Sequence, residues 1–167
     1  ATIDIKTSEE GEAILHPTDN NNVKVSAGKL TLNNVDVLGQ KEGVTSTGNH
    51  GIYVSGGTLK GNDILVQDTS GAALRVSGGK VEEVIGATFS DIGTNGLQVN
   101  GGTVIVTDLE TSGVKMRNVQ QYGSSTITLT DAILCSTEAT SAGNVDISKG
   151  TLNLHGVIRV NGTTAGY

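Results

Sequence analysis

The chemistry-bearing groups of this 167-residue chain are acid pairs, three histidines, one thiol and a short run rich in arginine, glutamine and tyrosine. Cleavage of a glycosidic bond needs two carboxyl groups facing each other across the bond. Glu9-Glu10 and Glu82-Glu83 are the only adjacent acids, and no other catalytic type accompanies either pair. They read as solvated surface. Asp63, Asp108 and Asp131 fall at equivalent places of a repeated stretch. A column of turn carboxylates usually bonds backbone amides and only seldom holds calcium. His16, His50 and His155 lie far apart, without metal-ligand spacing. Cys135 has no base beside it in sequence, so an inert strand thiol is expected. We therefore expect no enzyme: no catalytic residue, no cofactor and no metal.

Recognition is better supplied than catalysis. The segment Arg117-Asn-Val-Gln-Gln-Tyr-Gly123 reads as a lengthened turn. It gathers Arg117, Gln120, Gln121 and Tyr122 in a chain that has only three arginines and four aromatic residues. Arg and Tyr are favoured anchors because they join large contact area to directed hydrogen bonds. A second excursion, Gly39–His50, carries Lys41 and His50 and runs up to Tyr53. These seven residues are the expected partner-binding set, since loops inserted into a regular scaffold tend to carry recognition.

The scaffold is legible from a repeat. The phrase Ile52-Tyr-Val-Ser-Gly-Gly-Thr-Leu59 returns as Leu74-Arg-Val-Ser-Gly-Gly-Lys-Val81 and Leu97-Gln-Val-Asn-Gly-Gly-Thr-Val104. Looser copies begin at Val23 and Val145, with a degenerate one at Ser124–Leu129. The steps between copies are 22–29 residues, a solenoid period. Apolar residues two apart, such as Val54 and Ile52, mark a strand with one buried face. The Ser/Asn-Gly pair is a turn. A second strand starts at Leu59 or its equivalents, Asn34, Asp63, Asp108 and Asp131 turn the chain, and a third strand follows. This predicts an all-β, right-handed parallel β-helix (solenoid) of about six coils. Residues 1–22 are expected to form an N-terminal cap or atypical first coil, and residues 23–167 the repeats, as a fragment of a longer array.

Composition agrees. Gly numbers 24 and Pro 1, so the glycines serve tight turns. Few aromatics are needed in a narrow core of stacked Val, Ile and Leu. The net charge of −6 argues against nucleic acid as a partner. No apolar run approaches a membrane span, so direct membrane insertion by this segment is not expected.

The repeated Val-Ser-Gly-Gly-Thr-Leu phrase and the Thr-, Ser-, Asn- and Gly-rich turns resemble the passenger domains of bacterial type V autotransporters, of the pertactin-like or AIDA-like kind. The resemblance spans about residues 23–160. It implies a secreted or surface-displayed rod that binds host cells, host receptors, matrix, glycan or sister bacteria, or that associates with itself, as an adhesin or virulence factor. It implies no shared catalytic residues. Asn49-His50-Gly51 also resembles the Gly-His-Gly segment of polygalacturonases, but their Asp-Asp and Arg-Ile-Lys motifs do not occur. A pectin-lyase-like carbohydrate-active enzyme and an inert structural spacer are the alternatives.

Overall fold

A computed structural model describes residues 2–6, 13–15, 21–39, 49–136 and 144–161. The described residues form strands and turns with no helix. Short strands β3 (Asn21–Val25), β5 (His50–Val54), β7 (Leu74–Val76) and β9 (Leu97–Val99) alternate with long strands β4 (Lys29–Leu38), β6 (Thr58–Gln67), β8 (Lys80–Ser90) and β10 (Gly102–Val114). The last strands, β11 (Val119–Ser136) and β12 (Val145–Asn161), each run continuously through a whole rung. At the other end β1 (Thr2–Lys6) and β2 (Ala13–Leu15) both pair with β4. All pairings are parallel, and the short and long strands form separate columns that meet in β11. The chain is a parallel β-helix of about four turns, slightly fewer than the six expected. The four are the rungs in which short and long strands are distinct.

The long strands share a bend at one aligned corner, and the burial pattern shows why the fold tolerates this. In β4 the buried residues are Leu30 and Leu32, then Val35 and Val37. In β10 they are Val104 and Val106, then Leu109 and Thr111, and Val114 beyond a second left-handed residue, Gly113. Alternation by two is reset by three at the corner. There Asn34, Asp63, Asp108 and Asp131 take φ of 51–53°, the left-handed region. That conformation turns the chain and returns the next side chain to the core. Asn and Asp tolerate it better than other side chains, and glycine accepts it freely. Gly86 and Gly156 (both φ 67°) fill the same column. The Ser-Gly-Gly turns need glycine more strictly. A Cβ on Gly79 (φ 75°) would lie 2.6 Å from the Gly57 carbonyl oxygen of the coil below.

The core is a stack of apolar columns. Val54, Val76 and Val99 lie in register and are fully buried. So do Leu59, Val81, Val104 and Ile127. In β8 there is an extra residue: Leu59 pairs with Val81 but Lys60 with Glu83, which bulges Glu82 out of the strand.

Candidate functional site

Between the two buried positions of each short strand stands one residue that faces outward, and β11 and β12 carry its equivalents. Register aligns these as Lys24, Tyr53, Arg75, Gln98, Gln120 and Asp146. At about 4.8 Å per rung the column spans roughly 24 Å. A second column lies three residues before the first along the chain, at Asn21, His50, Ala72, Asn95 and Arg117. The two columns are laced by diagonal contacts, each reaching one rung onward. Asn95 donates to Gln120 Oε1 (3.2 Å), which also accepts from Gln98 (3.2 Å). Arg117 Nε lies 3.0 Å from Asp146 Oδ2 as an ion pair, although the N–H axis points off the oxygen and makes no hydrogen bond. His50 Nε2 lies 2.8 Å from Arg75 Nη1. The Arg75 guanidinium stands 5.4 Å from the centre of the Tyr53 ring, a cation–π distance. Tyr53 Oη bonds Ser77 Oγ at 2.9 Å.

Four of the expected binding residues thus meet on one sheet face: His50, Tyr53, Arg117 and Gln120. Two expectations are corrected. The segment 117–123 is not a lengthened turn, because Val119 and Gln121 pair with Leu97 and Val99 as the short strand of their rung. The surplus is a single residue after that strand: Gln121 to Ser125 spans four positions where Val99 to Gly102 spans three. Gln121 is therefore not a surface anchor. Its side chain is fully buried and donates to Ser125 O and Oγ, both at 2.9 Å. His50 is also buried, so only its outer edge bears on the face. Tyr122 is half-buried and pairs with Lys149. Lys41 lies outside the described residues. The sequence reading did not include Arg75, Gln98 and Asp146 among the binding residues. Their signal was the phrase itself, in which they occupy the outward position.

Burial, and secondly the Arg75 charge, push the His50 imidazole down to about 4, so the ring is neutral near pH 7. On another face the bulged Glu82 carboxylate meets Lys29, Lys60 and Lys80 at 3.4–3.5 Å. The hydrogen bond from Lys29 and the three positive charges hold it below the usual carboxylate range. The aligned Asp63, Asp108 and Asp131 line shallow grooves at the corner. Asp131 Oδ1 accepts from the Val157 amide at 2.7 Å, the backbone role expected of such a column. Cys135 is half-buried, and its amide donates to Thr111 Oγ1.

No protein-family model, curated protein or solved structure matches the chain.

Proposed function

We propose that this chain is a rod segment that recognises a partner through the outer face of its short-strand sheet and performs no catalysis. The observation that carries the reading is the aligned column Lys24, Tyr53, Arg75, Gln98, Gln120 and Asp146. Arginine, tyrosine and paired amides on a rigid sheet offer anchors at little entropic cost. The phrase that builds this face is the one that resembles autotransporter passengers. The setting we propose is therefore the bacterial surface or the extracellular medium, and the partner a host cell-surface protein, matrix component, glycan or sister cell.

The diagonal contacts favour a second reading, the inert spacer, since cross-rung pairs also brace a stack. Binding of the purified chain to cultured cells and to immobilised matrix proteins separates the two. Changing Tyr53 and Gln120 together to Ala is expected to cost about 1–3 kcal/mol of binding, the range of interface hot spots. No binding by the parent supports the spacer, whereas equal binding by parent and variant would place recognition away from this face.

A further inference from the structure

Of the three diagonal contacts, one is chemically mismatched. Asn95 donates to a carbonyl oxygen and Arg117 faces a carboxylate. Arg75 faces a ring nitrogen that cannot accept. The Ala72 amide donates to His50 Nδ1 at 2.9 Å, which makes Nδ1 the acceptor of the ring. A neutral imidazole has one donor and one acceptor nitrogen, so the proton sits on Nε2. Nε2–H and the Arg75 guanidinium, both donors, are then 2.8 Å apart. Arg75 Nε is sealed from solvent and has no partner among the described residues. Among those residues no carboxylate pairs with Arg75 either. Two convergent donors, one of them a partly buried cation, lack a shared acceptor. Such an arrangement is costly until something supplies one.

We propose that Arg75 and His50 form an oxyanion site for the carboxylate or sulfate of an acidic saccharide. One oxygen would accept from His50 Nε2–H, and a rotated guanidinium would grip the group through its planar fork. Tyr53 forms the wall behind the guanidinium, and Ser77 Oγ fixes its hydroxyl. Beyond Arg75 on the same column, Gln98 and Gln120 present amides to the hydroxyls of a saccharide running along the rod. The saccharide assignment rests on the reading of this face as the recognition surface. The oxyanion assignment is separable from it, because a free monosaccharide tests the site without any cell-surface partner.

The test is a nuclear magnetic resonance titration of the isotopically labelled chain at pH 7 and constant ionic strength. Its probes are sodium glucuronate, glucose 6-sulfate and glucose. The free protein should show His50 protonated at Nε2 and not at Nδ1. Glucuronate, the sulfate ester or both should then shift His50 Nε2 and Arg75 saturably, the responding probe telling carboxylate from sulfate, while glucose leaves them in place. Arg75→Gln should weaken the anion at least about tenfold, the effect of losing a charge-assisted hydrogen bond. Arg75→Lys keeps the charge without the fork and should fall between. His50→Gln keeps an acceptor for the Ala72 amide but replaces the fixed ring N–H by a shorter, rotatable amide, and should weaken the anion, though less than Arg75→Gln. A proton found on Nδ1, an absence of saturable shifts with either anion, or an Arg75→Gln protein that is folded and titrates like the parent would overturn the site. Failure of cell binding with anion binding intact would instead sink the recognition role and leave the oxyanion site standing.

Discussion

Gln121 stands in register with Val99, at a place where the preceding rungs put valine and the following one isoleucine, and it is as deeply buried as Val99. The one-residue surplus in the following turn brings Ser125 within reach, and the amide of Gln121 binds both the backbone and the hydroxyl of that residue. A polar side chain in the apolar column therefore holds an irregular turn together. Gln121→Ala is expected to cost about 2–3 kcal/mol, from lost packing and from turn groups left without a donor. Gln120→Ala, one residue away but outward-facing, should stay within about 0.5 kcal/mol in stability. Urea unfolding of both variants checks the pair. Equal stability of the two would refute the assigned register.

Asp108 offers a test of whether the aligned aspartates are there for conformation. Its φ of 53° places it in the left-handed region, and the equivalent residue of the preceding rung is Gly86. Asp108→Gly should therefore be tolerated within about 1 kcal/mol. Asp108→Val, with a branched Cβ in that region, should lose about 1–2 kcal/mol or more. Melting curves with and without added calcium measure both effects. A large loss in the glycine variant, or a calcium-dependent rise in the parent that the variant lacks, would point to the carboxylate itself.

The spacing of Ile52, Val54 and Leu59, and of their copies, carried the strands, the turns and the stacking order. Such columns are written directly in the sequence, because each rung repeats the same burial problem. The corner at Asn34, Asp63, Asp108 and Asp131 was legible as a turn, whereas its membership of Gly86 and Gly156 was not, since glycine fills so many turns here. Gln121 was misplaced for a physical reason. A polar residue in the buried register looks like a loop until its hydrogen-bond partner is known. The face joining His50 to Arg75 and Asn95 to Gln120 spans successive rungs, so chain spacing alone did not reveal it.

His50 gives the rod a pH dependence with a defined sign. Its ordinary value is 6.5, and burial with the Arg75 charge lowers it to about 4 in the folded state. The unfolded chain therefore binds the proton first. The stability of the neutral ring is fully present above pH 6.5 and is lost as pH falls toward 4. The groups facing the ring are Arg75, the Tyr53 ring (centroids 5.9 Å apart) and the Ala72 amide. Between pH 6.5 and 5 the melting temperature of the parent should fall more steeply than that of His50→Gln. Parallel curves for the two proteins would show that the ring charges without cost.

Leu129 and Leu154 occupy one column, in adjacent strands and in register. Leu129 is fully buried, whereas Leu154 is 49 % exposed, and Val157 and Val160 on the same strand are exposed as well. A buried leucine loses transfer energy and leaves a cavity when truncated, so Leu129→Ala should cost about 2–5 kcal/mol. Leu154→Ala removes a half-solvated side chain and should cost about 1 kcal/mol or less. The comparison also reports on association, one of the partner classes expected for this rod. If β12 is covered in solution by a second molecule, Leu154 is buried there. Its truncation would then cost nearly as much as that of Leu129, and the melting temperature would rise with protein concentration. Denaturation of both variants at two concentrations, with sedimentation of the parent, decides between an open end and a paired one. A small, concentration-independent effect at Leu154 is the expected result for the single rod.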